Sequence, residues 1–260
     1  MIQVPVETCP LCGADSKCGM FYGNFRVAFN PPENETRLDV IYYMCTKCGL
    51  FYQDPRCDVE YQQEYRLWTH TTFKFTDQEE MINETKRAMH ITDYIGFALP
   101  AKPTSLLDIG SSLGCLPAFC RMRFDCDVAG VEPNDEYRRR AKSANKVDLV
   151  ASIKDLPDKD FDLITCSHTL EHVVDPHAFV EEFPVPSQPG PFPKVQHLIL
   201  EVPYSYSMSW SSMWHYTGWT KATLKRLFWE HGWSGPDHVD IHAWPTFHKP
   251  DTCIQMHFWR

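Results

Sequence analysis

The chain has 260 residues, a formal net charge of −9 and 43% apolar residues, which suits one large domain with a small module beside it. The acidic balance argues against the broad cationic footprint that nucleic acid or an anionic membrane requires, so neither is an expected partner. Residues 1–7 carry neither a basic stretch nor an apolar leader core, and no apolar run approaches membrane-spanning length, so a cytoplasmic protein is expected.

The eleven cysteines include two Cys-x-x-Cys pairs, a pattern of metal binding in a reducing compartment rather than of disulfides. Cys9-Pro10-Leu11-Cys12-Gly13 and Cys45-Thr46-Lys47-Cys48-Gly49 each fit a tight knuckle that turns two sulfurs toward one ion, with Gly supplying the positive φ. Between them, β-formers at 21–29 and 37–43 flank Asn30-Pro31-Pro32-Glu33-Asn34, which reads as a hairpin. This predicts a zinc ribbon over residues 1–56, with one structural zinc on Cys9, Cys12, Cys45 and Cys48. The competing reading is small buried hydrophobes or a redox pair. So small a ribbon would draw most of its stability from the metal. Residues 57–100 are read as a helical linker covering the cofactor site: apolar positions between Glu79 and Phe97 recur at helical spacing, and Pro100 and Pro103 end the helix.

From 101 to 260 strands and helices alternate: strand 104–109, helix 115–123, strand 126–131, helix 134–145, strand 147–151, strand 161–166, helix 176–183. That order predicts right-handed crossovers in a mostly parallel sheet with ligand at the carboxyl ends of the strands. The first strand runs into Gly110-Ser111-Ser112-Leu113-Gly114, a turn that lets backbone N–H groups approach a ligand closely. Asp108, just before this turn, would repel a pyrophosphate; it would attract the sulfonium and amino groups of S-adenosylmethionine. Glu132, closing the second strand, can take both hydroxyls of a ribose. The proline-rich stretch 184–193 is an exposed connection into strand 196–202. Beyond it come the aromatics Tyr204, Tyr206, Trp210, Trp214, Tyr216 and Trp219, then helix 221–231 and strands 239–243 and 253–259.

Asp108-Ile109-Gly110-Ser111-Ser112-Leu113-Gly114 resembles the first motif of class I S-adenosylmethionine-dependent methyltransferases. Gly130-Val131-Glu132-Pro133 resembles the ribose-binding end of their second strand. The stretch from Phe161 to Val173, with Leu170-Glu171-His172-Val173, is similar to their fourth strand and its "LEHV" segment. The match departs at Ser112, where the family usually has its middle Gly. With the N-terminal ribbon, the resemblance extends from Cys9 to Trp233, toward methyltransferases of surface-polysaccharide and nucleotide-sugar modification. It implies a Rossmann-like α/β fold: a seven-stranded sheet with helices on both faces and a final antiparallel pair, over residues 101–260. It also implies that Asp108, Gly110, Ser111, Ser112, Gly114, Glu132, Pro133 and Ser167 contact the cofactor, with Ser152 and Ile153 near its adenine.

Methyl transfer from a sulfonium is an in-line displacement, so alignment is the protein's main task. A base is required only where the acceptor must lose a proton; the candidates are His215, His168 and His172, each of which has an alternative role in ordering its loop. The aromatic residues after the fifth strand form either an acceptor wall or ordinary core. The expected function is methyl transfer to a small polar acceptor, a sugar or nucleotide-sugar. The alternatives are a ribbon-guided RNA or protein methyltransferase and a non-catalytic binding module.

Overall fold

The structure is a computed structural model that describes residues 3–28, 35–57, 77–157, 159–185, 195–205, 215–245 and 250–260. The N-terminal part holds β1 (Gln3–Val4), β2 (Lys17–Ala28), β3 (Glu35–Cys45), β4 (Phe51–Gln53) and β5 (Arg56–Cys57). As the spacing predicts, β2 and β3 form an antiparallel hairpin, with Lys17 opposite Cys45. Its turn at 30–34, the proline-rich residues 186–193, and Tyr61, Tyr65, His70, Tyr206, Trp210 and Trp214 lie outside the described residues. β4 pairs with β3, and β1 with β5.

The remaining elements are α1 (Asp77–Ala98), β6 (Ser105–Ile109), α2 (Cys115–Phe124), β7 (Asp127–Val131), α3 (Asp135–Arg140), β8 (Leu163–Ser167), α4 (Pro176–Glu181), β9 (His197–Pro203), β10 (Thr217–Gly218), α5 (Lys221–Glu230), β11 (Val239–Pro245) and β12 (Pro250–Trp259). Their large sheet has the order β11-β12-β9-β8-β6-β7. β7, β6, β8 and β9 are parallel, while β12 runs antiparallel to β9 and β11 to β12. The seventh position, expected as a strand over 147–151, is a single parallel bridge between Val150 and Val131. The chain has no length to continue the ladder there. Val147 still donates to the carbonyl of Ala141, and Ser152 already caps the short turn Ile153–Asp155. The helix expected over 134–145 likewise splits: Asn134 caps α3 by accepting from Glu136 and Tyr137, and residues 141–145 continue as a π-helical turn.

Alternation along the strands makes the sheet two-faced, since successive side chains point to opposite sides. Leu106, Leu163 and Ile199 pack against α1 and α2 through Ile91, Ile95, Leu116 and Cys120. Their neighbours Leu107, Ile164, Leu198 and Leu200 pack against Val180, Leu224 and Phe228 of α4 and α5. Each such fully buried aliphatic side chain contributes about 1.5–3 kcal/mol. No helix among the described residues is long and apolar enough to cross a membrane.

The N-terminal part is continuous with this second core layer, which also contains Cys9, Leu11, Cys45, Leu50 and Tyr52. β10 pairs with β4 and so extends the N-terminal sheet to the order β10-β4-β3-β2. Just before β10, the carbonyl of His215 accepts from the Tyr42 hydroxyl at 2.7 Å and from Gln53 Nε2 at 2.8 Å. Gln53 is 1% exposed, and its own N–H donates to the carbonyl of Tyr216. Removing one partner of a buried hydrogen bond costs about 1–3 kcal/mol, so Gln53→Ala is expected to lower stability in denaturant titration by that amount. It should also speed amide exchange over residues 215–219. Unchanged exchange there would mean that β4 does not hold this segment.

Candidate active site

The end expected to take the cofactor is built where β6 and β7 stop. Gly110 sits at φ 81, and a Cβ on it would overlap Thr169 Oγ1, so both the turn and the close approach require Gly. Gly110 and Ser111 both donate to the carbonyl of Val131 at 2.9 Å, which locks the turn to the neighbouring strand. Ser112, where the resemblance would have placed a glycine, stands in the left-handed region at φ 48. Its N–H donates to Glu132 Oε2, and Asn134 N–H donates to Glu132 Oε1, both at 2.9 Å. Two loops thus orient the one carboxylate.

Asp108 is 3% exposed and accepts from Thr165 Oγ1 at 2.7 Å. Burial pushes its carboxyl up from the ordinary 3.8 to about 6, against the hydrogen bonds of Thr165 and Ser111. From this wall opens a cavity of about 720 Å³, which runs past Glu132 and Pro133 to Ser167, His168, His172 and His215.

The far end is polar. His168, at φ 50, lies between two buried carboxylates, with Nδ1 3.5 Å from Glu171 Oε1 and Nε2 3.4 Å from Glu201 Oε1. Burial works against its charged form, as does Arg87, but Cys253 and Glu171 prevail and hold its pKa well above the ordinary value. Glu171 shows the converse: burial raises it, yet His168, His172 and His215 hold it down at about 2. Glu201 accepts from Ser167 Oγ at 2.9 Å and from Gln255 Nε2 at 3.1 Å, and lies 3.4 Å from His242 Nε2. The rings of His172 and His215 meet edge to face with centroids 4.9 Å apart. The Tyr216 N–H donates to the carbonyl of Glu171 at 2.7 Å, fixing the two histidine segments to each other.

The expected cofactor residues other than Gly114, Ser152 and Ile153, and the three candidate histidines His168, His172 and His215, line this cavity. Gly114, at φ 69, ends the turn as the N-cap of α2 and packs closely on Ala141. Ser152 and Ile153 belong to the short turn after the Val150 bridge, where the Ser152 hydroxyl donates to Asp155. Tyr216 and Trp219, 4% and 0% exposed, are core residues rather than cavity wall. Sequence reasoning missed Glu84 and Arg87 of α1, Thr169, and the supporting Glu201. A glutamate inside the run Leu198-Ile199-Leu200-Glu201-Val202 is the visible signal of a buried charge.

A second site lies in the N-terminal part. Cys9, Cys12, Cys45 and Cys48 bring their sulfurs within 4.8 Å of one another. Gly13 and Gly49 take positive φ and donate back to the carbonyls of Cys9 and Cys45, forming the two knuckles.

Residues 78–235, more than half of the chain, match the family model described as a methyltransferase domain. The chain belongs to that family and is a class I S-adenosylmethionine-dependent methyltransferase. Among solved structures, magnesium protoporphyrin IX methyltransferase from Synechocystis PCC 6803 with bound S-adenosylhomocysteine is 11% identical, with a TM-score of 0.52, covering 78% of this chain and 95% of its own. The plantazolicin methyltransferase BpumL with S-adenosylhomocysteine is 14% identical, with a TM-score of 0.49, covering 78% and 91%. A proposed O-methyltransferase from Nostoc punctiforme PCC 73102 is 18% identical, with a TM-score of 0.48 over 67% of this chain; the match spans 56% of that protein's length. No curated protein matches the sequence.

Gly110→Ala is expected to lose at least the roughly 1–2 kcal/mol of a left-handed non-Gly residue, together with cofactor affinity, because the stiff Thr169 side chain must give way. Thermal melting and calorimetry with S-adenosylhomocysteine read both effects; an unshifted melting temperature would contradict this turn geometry. Asp108 yields a pH dependence. With the folded pKa raised from 3.8 to about 6, the folded state holds the extra proton between those values, so stability falls as pH rises through that window. A cationic ligand favours the ionised form, so binding of S-adenosylmethionine near pH 6 should release a proton. Binding heats that do not depend on the buffer's ionisation enthalpy would exclude Asp108 from this coupling.

Proposed function

We propose that this methyltransferase acts on a small polar acceptor, a sugar or nucleotide-sugar, bound between the cofactor and the histidines of the acceptor end. The observation that carries this reading is the composition of the cavity beyond Asp108 and Glu132: Arg87, Glu84, His168, His172 and His215 offer charge and hydrogen bonds. Polar groups of this kind in a cavity suit an acceptor rich in hydroxyls. The names of the similar structures, a porphyrin and a plantazolicin methyltransferase among them, do not converge on one acceptor.

In this reading Glu132 takes the ribose hydroxyls, Gly110 to Gly114 pass along the amino-acid end, and Asp108 attracts the cationic groups. His168 has both ring nitrogens facing carboxylates, which suits an orienting role. His215 and His172 are left to activate the acceptor. Glu132→Ala should weaken cofactor binding by about 1.5–3 kcal/mol, the scale of lost hydrogen bonds to a charged group. His215→Asn should keep that affinity and lower turnover by about 10² to 10⁴. Labelled methyl transfer to a nucleotide-sugar panel, with RNA in parallel, tests the acceptor class; label on RNA alone would defeat this reading.

The cysteine cluster is assigned to one structural zinc. Free thiols pair at 3.6 Å (Cys9 with Cys48) and 3.5 Å (Cys12 with Cys45). Tetrahedral thiolates with arms of about 2.3 Å place neighbouring sulfurs about 3.8 Å apart, so the four residues fit the ion. Elemental analysis is expected to find one zinc held by these four residues, with chelation unfolding the N-terminal part. A metal-free protein whose β2–β3 hairpin stays protected from amide exchange would refute the assignment.

A further inference from the structure

We propose that Glu171, His172 and His215 bind one divalent transition-metal ion at the acceptor end of the cavity, apart from the cysteine cluster. The proposal rests on the methyl-transfer reading for its role in chemistry, but not for the site itself. One carboxylate oxygen and one nitrogen of each imidazole lie within 4.8 Å of one another. Two features of the fold hold them there. Glu171 and His172 are adjacent on the turn Leu170–His172, and the Tyr216 N–H tied to the Glu171 carbonyl brings His215 against them. The His215 carbonyl is in turn fixed by Tyr42 and Gln53.

Glu171 is 1% exposed, and neither of its carboxylate oxygens accepts a hydrogen bond from a described residue. The nitrogens His168 Nδ1 and His172 Nε2 stand 3.5 and 3.8 Å from Oε1, beyond good hydrogen-bonding distance. A buried carboxylate with open lone pairs beside two imidazoles is a ligand set for a first-row divalent cation. The group His90, Glu201 and His242 also converges, but there Ser167 and Gln255 already donate to the carboxylate. The Glu171 set alone of these two lies wholly along the cavity wall.

Three protein ligands leave positions for an acceptor oxygen. A hydroxyl bound there gives its proton to solvent and attacks the methyl carbon; the C–S bond breaks, its electron pair stays on sulfur, and neutral S-adenosylhomocysteine results. The metal thus selects acceptors that present an oxygen with a second donor beside it, as adjacent sugar hydroxyls do.

The test titrates Mn²⁺ alone into the full chain, followed by electron paramagnetic resonance, because a hard cation disfavours the thiolate cluster. One bound Mn²⁺ with hyperfine coupling to imidazole nitrogen is expected. Glu171→Gln and His172→Asn should each weaken it by more than the ~10- to 100-fold that losing an outer-shell partner costs, with S-adenosylhomocysteine affinity unchanged. No binding, or bound Mn²⁺ without nitrogen coupling in the wild-type chain, overturns the proposal even if a variant misfolds. S-adenosylhomocysteine binding without Mn²⁺ binding sinks the metal site alone; Mn²⁺ binding without S-adenosylhomocysteine binding sinks the methyl-transfer reading and leaves the site standing.

Discussion

An ionised carboxylate taken out of water without a partner carries a penalty of several kcal/mol, and three are buried among the described residues near the carboxyl edge of one sheet. Asp108 is 3% exposed, Glu171 and Glu201 1%. Each is resolved differently. Asp108 moves its pKa toward neutrality, while Glu201 gathers Ser167, Gln255, His168 and His242 around itself. Glu171 has histidines and no hydrogen-bond donor among the described residues. The histidines near these acids come from segments far apart in sequence, so the acids fix how the loop after β8, the segment before β10 and the edge strand β11 converge. Polar groups organised in this way rigidify a site because every rearrangement leaves a charge uncovered.

The sheet was legible in the sequence because its signals are local. Runs such as Leu106-Leu107 and Leu198-Ile199-Leu200 are apolar on both faces, as a strand covered from two sides must be. The turn at Gly110 and the acid at Glu132 stand at the ends of such runs, so their place at the cavity followed from topology. What could not be read was the partner of each charge. Nothing near Glu201 in the chain announces Ser167, and Arg87 sits on a helix whose periodicity reports only its packing face. The strand expected over 147–151 from the alternation of elements is reduced to one bridge, because the helical turn before it and the cap at Ser152 leave no room for more. Ser152 and Ile153, which the resemblance places near the adenine, sit on the short turn that follows this bridge.

The cysteine-bearing part was legible as a ligand pattern but not as a neighbour of the site. Its four cysteines are the most local signal in the chain. Its contribution to the far end of the cavity passes instead through Tyr42 and Gln53, two residues with no motif, which meet a backbone carbonyl rather than a side chain. Such a contact carries no side-chain code on one of its sides. A backbone acceptor leaves no trace in residue type, so only the fold reveals it.

The pairing of β4 with β10 has a consequence for the order in which the molecule is made. Gln53 and the carbonyl it holds are 162 residues apart in sequence. During synthesis the hairpin of β2 and β3, with β4 beside it, can close early, because its contacts are short in range. The outer edge of β4 then has no strand to pair with until residues 217 and 218 have left the ribosome. An open strand edge is a template for pairing with another chain, and exposure grows with the time it stays open. Translation speed across the second half of the chain therefore bears on the yield of folded protein, and a slow stretch between β9 and β10 would prolong the most aggregation-prone interval.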